Sequence, residues 1–388
     1  MHFKYILWTA LIMLSGKAFA QSDTKIQGNI KGLTSDSLYI LSRELNRNSP
    51  QKWDTSYSEN NRFSIRLRIT SLTELLIIPK KMVYYFAGGR KYIPSTGFID
   101  LAVLPGDSLN IRGAINEGYL QYLVEGSSLN NRAAALRSSY KALDKRAVSF
   151  ELQMAELPED SNRIRKSKAL FSQRVRASGQ ISQIKKNYIQ SHPLDNLSAL
   201  LLLKQPINSF GDLYLKLSDS VRNGPFKDAL ENQYHEYLNF IKSNDNAERL
   251  KAGSKAPEFN LSGVNGEQFH LSSLKHKTDV IVIDFWGSWC GWCIKEFPKM
   301  KSYYERYKKR ITFIGIACND TPGKWKLAVE KYALPWINVI NDSANDVSVQ
   351  YGIQAYPTKI ILNKDLQITG IFKGADPEFF KKLDELMK

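Results

Sequence analysis

The chain has 388 residues, of which 43% are hydrophobic and 24% charged, and its formal net charge is +16 at pH 7. This length predicts two or three domains, and this composition is the one expected of a soluble globular protein. Lysine and arginine are spread among acidic residues, a pattern typical of solvated basic surfaces, so we expect no nucleic-acid partner. Three cysteines are too few for a disulfide scaffold.

The first twenty residues have the pattern of a signal peptide. "MHFK" is a short basic start, the apolar run "YILWTALIMLSG" follows, and "AFA" at 18–20 forms an A-x-A cleavage site. We predict cleavage after Ala20 and a periplasmic protein, while Lys17 inside the cleavage region leaves an uncleaved anchor open. The later sequence has no apolar stretch long enough to span a bilayer, which predicts no stable membrane insertion of the mature chain.

Three regions follow the predicted signal peptide of residues 1–20. Residues 21–126 contain short β-branched and aromatic runs punctuated by Gly, Asn, Asp and Pro, which predicts an all-β domain, a sandwich or barrel. Residues 127–248 show apolar positions at helical spacing, which predicts an α-helical region. The polar segment 244–257 is expected to be a flexible linker, and residues 249–388 form the last predicted domain.

The last region alternates strands and helices. "DVIVIDFWG" predicts a strand buried on both faces because it is continuously apolar, and "CGWCIKEFPKMKSYYERYKK" predicts a helix. "RITFIGIAC" and "TPGKWKLAVEKYAL" predict a second strand and helix, "TKIILNK" and "QITGIFKG" a hairpin, and "DPEFFKKLDELMK" a closing helix. This order describes an α/β domain.

Two of the three cysteines, Cys290 and Cys293, lie at the predicted strand-to-helix transition in "WGSWCGWCIKEFP". The N–H groups and partial positive charge at the start of a helix favour a thiolate and can lower a cysteine pKa from ~8.5 to roughly 3.5–7.5. Cys293 lies one turn later on the same face, where it can resolve a mixed disulfide formed at Cys290. This arrangement predicts a redox pair in which Cys290 attacks and Cys293 resolves.

The residues alone leave two other uses of the pair open. A zinc site needs two more ligands, and the sequence has no second C-x-x-C and no H-x₃-H motif to supply them. The remaining candidate ligands are scattered along the chain: Cys318, His2, His192, His235, His270 and His276. An inert disulfide, the second alternative, would not need a strand-to-helix transition. Cys318 itself is expected to be a buried packing residue, with a third redox thiol as the alternative.

The active segment resembles a known family. "VIDFWGSWCGWCIKEFP" is similar to the active-site segment of thioredoxin-fold proteins, and "SKAPEFNLSGVNGEQFHLSSLK" resembles the entry of the TlpA/ResA branch of exported thiol-disulfide oxidoreductases. The resemblance covers roughly residues 252–388 and implies a C-terminal thioredoxin fold, with a central mixed β-sheet flanked by helices. Upstream, "FIDLAVLPGDSLNIRG" and "YLVEGSSLNNRAAALRSSY" resemble an uncharacterised β domain and helical region that precede thioredoxin modules in many exported proteins.

The resemblance assigns catalytic residues besides the cysteines. Asp284 matches the family's buried acid, Glu296 matches the acid that ResA-like proteins place near the second cysteine, and Pro298 matches the proline that kinks the active-site helix. A carboxylate buried in "VIVIDFW" tends toward the neutral form, so we expect Asp284 to take the proton of Cys293 during resolution. For Glu296, a solvated helix residue is the alternative.

The resemblance also implies substrate-binding residues. Tyr356 and Pro357 match the cis-proline segment that faces the cysteines in this family, which implies that the backbone of Tyr356 pairs with the substrate. Gly374 resembles the glycine before the last helix that lets a partner chain approach. Trp289 and Trp292 are expected to form a docking surface for a client chain.

The predicted function is that of a periplasmic thiol-disulfide oxidoreductase acting on protein substrates, as a reductant that a membrane-bound donor keeps reduced. No metal or organic cofactor is expected, because the redox-active disulfide Cys290–Cys293 carries the electrons. The central dipeptide "GW" departs from the family's more familiar pairs, so oxidant and isomerase roles stay open. A thiol peroxidase is one alternative, although Gly287 stands where peroxiredoxins have a threonine. The other is an envelope binding protein whose upstream domains bind a client and whose redox module is auxiliary.

Overall fold

The structure is a computed structural model that describes residues 23–45, 49–86, 89, 91–158, 161–342 and 344–388. The predicted signal peptide and its cleavage site therefore lie outside the described residues. The chain divides into two compact units between Tyr234 and His235. Among the described helices, none combines the length and the hydropathy that crossing a membrane requires.

The first unit begins with ten β-strands in the described residues. They are β1 (Thr24–Lys31), β2 (Asp36–Glu44), β3 (Lys52–Ser58), β4 (Arg62–Leu67), β5 (Thr73–Pro79), β6 (Tyr84–Tyr85), β7 (Lys91–Tyr92), β8 (Ile99–Val103), β9 (Ser108–Asn116) and β10 (Tyr119–Glu125). Eight of them form two four-stranded sheets, ordered β10-β9-β1-β4 and β3-β2-β5-β8, and β6 pairs with β7.

The two sheets enclose one apolar core, as the predicted sandwich requires. Along β1, buried and exposed residues alternate strictly, so one face of the strand, including Ile26 and Ile30, turns inward. These residues belong to the same core cluster as Ile40 of β2 and Ile77 of β5 in the other sheet. Strand β1 turns its other face to solvent, whereas β5 is buried on both faces.

Helices replace strands after β10. The bounds are α1 (Ser128–Ser139), α2 (Lys141–Ala155), α3 (Arg163–Ser191), α4 (Asn196–Leu203), α5 (Phe210–Tyr214), α6 (Asp219–Arg222) and α7 (Lys227–Arg249). Ser127 starts the first helix, because its side chain accepts a hydrogen bond from the N–H of Asn130. The change from strands to helices thus falls between Glu125 and Ser128.

The prediction of a flexible linker over 244–257 is wrong in its first part, because α7 continues to Arg249. Asn246 donates a hydrogen bond from Nδ2 to the carbonyl of Val349 at 2.9 Å. Asn244 accepts one from Nε2 of Gln354 at 2.8 Å. The polar side chains that indicated a solvated linker instead bind a neighbouring segment of the second unit.

The second unit is built on a seven-stranded mixed sheet. Its strands are β11 (Asn260–Gly263), β12 (Gln268–His270), β13 (Val280–Trp286), β14 (Ile311–Ala317), β15 (Ile337–Ile340), β16 (Thr358–Asn363) and β17 (Ile368–Lys373). The order is β12-β11-β15-β14-β13-β16-β17. Strand β14 runs parallel to β13 and β15, whereas β16 is antiparallel to β13 and forms the predicted hairpin with β17.

Helices flank this sheet: α8 (Gly291–Tyr307), α9 (Pro322–Lys331), α10 (Val347–Gln350) and α11 (Glu378–Leu386). All seven residues of β13 are buried. Val282 lies in one apolar cluster and Ile283 in another, so the strand has a core on each face. This mixed sheet with helices on it is the thioredoxin fold expected for the C-terminal domain.

Candidate redox site

The two cysteines lie at the junction between β13 and α8. They form a disulfide bond, with Cys290 as the N-cap of α8 and Cys293 in its first turn. Cys290 Sγ accepts a hydrogen bond from the N–H of Cys293 at 3.2 Å. An amide donor at a helix start stabilises negative charge on that sulfur. The geometry therefore favours Cys290 as the thiolate when the bond is reduced.

The loop before the disulfide is held by hydrogen bonds that sequence reasoning missed. Asp320 accepts one from the backbone N–H of Ser288 at 2.7 Å and one from its hydroxyl at 2.9 Å. Trp289 Nε1 donates to the carbonyl of Cys318 at 3.0 Å. A Cβ added at Gly287 would lie 2.4 Å from the Trp289 indole nitrogen, so a larger residue there would displace the indole from its hydrogen bond with Cys318. The available signal was the position of Ser288 just after β13 and of Asp320 just after the neighbouring strand β14, since polar loop residues at strand ends often hold a site in place.

Asp284 lies in the middle of β13 and is buried, as the sequence predicts. Its Oδ1 atom has no hydrogen-bond partner among the described residues. Burial raises the pKa of Asp284 to about 6, the positive Lys359 acts in the opposite direction, and the negative Glu296 raises it further. A carboxyl group with a pKa near neutrality can both accept and release a proton.

Lys359 is the principal residue that sequence reasoning missed. It is buried on β16, directly opposite Asp284 across the β13–β16 pairing. Its Nζ lies 2.6 Å from Oε2 of Glu296 and 3.9 Å from Oδ1 of Asp284. Glu296 is thus ion-paired rather than solvated, and the structure brings both predicted acids to one cation. A lysine inside the apolar run "TKIILNK" was the available signal, because a buried ammonium needs an acidic partner.

The Tyr356–Pro357 peptide bond is cis, the conformation that the resemblance implies. Gly374 donates its N–H to the carbonyl of Pro357 at 2.7 Å, and its φ of +74° lies in the left-handed region that favours glycine. Apart from Gly374 and its two neighbours in the chain, no described residue has an atom within 4 Å of the place where a Cβ would stand on Gly374. Space beside this backbone is therefore open.

Two tryptophans beside the disulfide are exposed, Trp289 by 53% and Trp292 by 64%. The ring of Trp289 packs edge-to-face against Tyr356, with the centroids 5.3 Å apart. The ammonium group of Lys295 lies 4.6 Å from the centre of the Trp292 ring. The cysteines themselves are buried, so the indoles present the apolar surface next to them.

Cys318, the remaining cysteine, is fully buried at the end of β14. Burial raises the pKa of its thiol, so it is disfavoured as a thiolate. The described residues contain no group of three His, Cys, Asp or Glu side chains placed to hold a metal ion. Two bonded sulfurs at a helix start, with a near-neutral acid in the adjacent strand, can carry out thiol–disulfide exchange.

Residues 251–387 match the model of the family described as Redoxin. Over 134 residues the chain is 33% identical to the thiol-disulfide oxidoreductase ResA of Bacillus subtilis (strain 168), covering 34% of this chain and 72% of that protein. Over 156 residues it is 30% identical to the ResA of Halalkalibacterium halodurans, covering 40% of this chain and 84% of that protein.

Solved structures also align with part of the chain. The thioredoxin domain of a thiol-disulfide oxidoreductase from Bacteroides vulgatus is 25% identical, with 36% of this chain and 99% of that chain covered and a TM-score of 0.33. A thiol-disulfide oxidoreductase from Bacteroides fragilis is 26% identical, with coverages of 34% and 99% and a TM-score of 0.32. On the strength of the ResA relatives, the chain belongs to the ResA family of thiol-disulfide oxidoreductases.

Proposed function

We propose that Cys290 and Cys293 are the redox-active pair and that the enzyme reduces disulfides of protein substrates in the periplasm. The observation that carries this proposal is the placement of Cys290 Sγ at the N-terminus of α8, where the N–H of Cys293 donates to it. The resemblance to the TlpA/ResA branch supports the reducing direction. The signal-peptide pattern of residues 1–20 supports the location.

The reduced enzyme begins the reaction through the Cys290 thiolate. It attacks one sulfur of the client disulfide, which forms a mixed disulfide and releases the other client sulfur as a thiolate that takes up a proton. Cys293, once deprotonated, attacks Cys290 Sγ and expels the second client thiolate. The client gains two electrons and the enzyme is left with the Cys290–Cys293 disulfide, which a donor dithiol reduces again.

Asp284 is the proposed acceptor for the proton of Cys293. At neutral pH a carboxyl group with a pKa of about 6 is mostly ionised, so it can act as a general base and still return the proton. Lys359 has a positioning role, because it ties Glu296 of α8 to the strand that faces Asp284. Glu296 lies three residues after Cys293, on the same side of the helix.

The surface beside the disulfide suits an extended polypeptide. Trp289 and Trp292 offer exposed aromatic area, which binds client side chains at low entropic cost. The backbone at Tyr356 is proposed to pair with the client as an added strand, and the open space at Gly374 leaves room for that chain. A membrane-bound dithiol protein is the proposed electron donor.

A trapping experiment tests this function. Cys293→Ala should stall the reaction at Cys290, so envelope extracts should yield mixed disulfides with client proteins, whereas Cys290→Ala should trap none. Cys318→Ala is the matched control and should turn over like the wild type. Insulin reduction faster than peroxide turnover is expected of the wild type. A blank trap, or the opposite order of the two rates, would contradict the proposal.

A further inference from the structure

The first unit contains a cleft of about 450 Å³ between helices α2 and α3. Residues between Tyr92 and Ser95 and the segment from Lys204 to Pro206 also line it. The polar residues that line it include Asp144, Glu151, Arg174, Ser182, Lys185 and Lys204. Clefts of ≈ 300–1,000 Å³ are the usual size of small-molecule sites.

Most of the charges around this cleft are already paired. Arg174 Nη1 lies 3.3 Å from Oε2 of Glu151. Lys204 Nζ lies 2.6 Å from Oδ2 of Asp100 and 3.1 Å from Oε1 of Glu74. These contacts leave no surplus charge at either cation.

The acidic Asp144 is also engaged. Its Oδ1 accepts a hydrogen bond from the hydroxyl of Ser95 at 2.5 Å. The positive Arg137 and the negative Asp144 attract one another, an interaction that helps to raise the pKa of Arg137 although burial opposes it. The carboxylate therefore has partners of its own within the wall.

Lys185 differs from these groups. Among the described residues, no carboxylate or carbonyl oxygen accepts a hydrogen bond from its ammonium group, and its contact is the Tyr140 ring, 5.5 Å away. Burial lowers the pKa of Lys185, and the positive Lys204 lowers it further, against Asp100 and Asp144. The ammonium group is only partly buried, so its donors are open to solvent from the cleft, and an anion that takes the place of this solvent would form charge-assisted hydrogen bonds with it.

A second donor in the same cleft lacks an acceptor. Arg174 Nε is buried and has no hydrogen-bond partner among the described residues. Arg174 and Lys185 are eleven residues apart on α3, which is about 16 Å along the helix. Arg174 and Lys185 thus lie toward opposite ends of the cleft.

We propose that this cleft binds a small organic anion whose carboxylate or phosphate group is held by Lys185. An oxyanion would offer the ammonium group charge-assisted acceptors that are stronger than those of neutral partners. The hydroxyl of Ser182, one turn before Lys185, donates its proton to Oε1 of Gln205 at 2.9 Å, so Lys185 is the donor to the anion on this part of the helix. Val148 and Ile181, which also line the cleft, offer apolar contact to the rest of the ligand.

Calorimetric titration of the mature chain tests the proposal, with citrate, succinate and inorganic phosphate as probes at fixed ionic strength. We expect saturable 1:1 binding of at least one probe, and the comparison of the probes distinguishes carboxylate from phosphate. Lys185→Met should weaken this binding at least tenfold. Lys186→Met removes the neighbouring charge on the same helix, outside the cleft, and should leave it unchanged.

A second measurement needs no variant. The bound probe should slow acetylation of Lys185 at least fivefold, as followed by mass spectrometry, and should leave acetylation of Lys186 unaffected. This labelling decides the outcome where Lys185→Met does not fold. The proposal is overturned by absence of saturable binding of all three probes, by wild-type affinity in a folded Lys185→Met, or by equal labelling of Lys185 with and without probe.

Discussion

Each unit contains a lysine placed between two carboxylates, but the two clusters differ in one contact. In the first unit, Lys204 Nζ is within 3.1 Å of both Asp100 and Glu74. In the second, Lys359 Nζ lies 2.6 Å from Glu296 but 3.9 Å from Asp284, whose Oδ1 has no hydrogen-bond partner among the described residues. We call Lys204, Asp100 and Glu74 the closed cluster, because the lysine binds both of its acids. The same three charges in the second unit leave one acid, Asp284, incompletely paired.

We interpret this difference as the one between a structural ion pair and the proposed proton-transfer site at Asp284. Burial opposes the charge on Lys204, yet Asp100 and Glu74 raise its pKa above the ordinary value and so fix its protonation. Burial raises the pKa of Asp284 to about 6 in spite of Lys359. A buried acid that titrates near neutrality marks a functional site more often than a fully paired one does.

The largest expected effect comes from Asp284→Asn. Removing the proton acceptor should lower the rate of insulin reduction by about 10²–10⁴-fold, the usual contribution of a general base. Asp100→Asn, the same change in the closed cluster, should leave the rate within about twofold of wild type, since that cluster takes no part in the chemistry. Equal rates for the two variants would remove the distinction between the clusters.

Lys359→Met should destabilise the second unit by about 3–5 kcal/mol, because it leaves two acids near one another without a buried cation. Urea unfolding of the oxidised protein measures this loss. Adding Glu296→Gln to the same variant should recover part of it, since the second charge is then absent. If the unfolding free energy of Lys359→Met alone lay within about 1 kcal/mol of wild type, Lys359 would not stabilise the charge of Asp284 or Glu296.

The stability of the oxidised protein should also depend on pH through Asp284. Its native pKa is raised from 3.8 to about 6, so the group contributes stability that is present below its unfolded pKa and is lost as pH rises through 6. Relative to Asp284→Asn, wild type should lose about 3 kcal/mol of unfolding free energy between about pH 4 and pH 7. If the difference in unfolding free energy between the two proteins did not change with pH, the pKa of Asp284 would be the same in the folded and unfolded states.

The smallest effect is expected from Lys204→Met in the closed cluster. It should lower the unfolding free energy of the first unit by roughly 1–3 kcal/mol, because the lysine side chain is only partly buried and water can reach its acids. Insulin reduction should stay unchanged. A loss of insulin reduction in this variant would show that the closed cluster affects the redox site, and would contradict its purely structural role.

Residues close in sequence were predicted well. The helix start at Cys290, the strand around Asp284 and the hairpin of β16 and β17 follow from local apolar patterns and motif spacing. The resemblance predicted that Glu296 lies near the second cysteine, but it did not predict the ion pair of Glu296 with Lys359. Local patterns show which side chains are buried, and a motif shows which of them belong together.

The partners that come from distant segments were not predictable. Lys359 lies 75 residues after Asp284 in the chain, and only the pairing register of β13 with β16 brings the two opposite each other. The alternation of apolar residues fixes which side chains share a face, but it does not show which distant strand pairs with β13 or which of its residues lies opposite Asp284. The same reasoning explains why Asn246, read as part of a linker, instead binds the backbone of Val349.

The central claim, that Asp284 accepts the proton of Cys293, is tested most directly by the pH dependence of the resolution step. Reduced enzyme mixed with an aromatic disulfide in stopped flow releases one coloured thiol as Cys290 attacks and a second as Cys293 resolves. In wild type, the rate of the second thiol release should rise with pH through an apparent pKa near 6. In Asp284→Asn this rise near pH 6 should be absent. Identical pH profiles for the two proteins would contradict the claim.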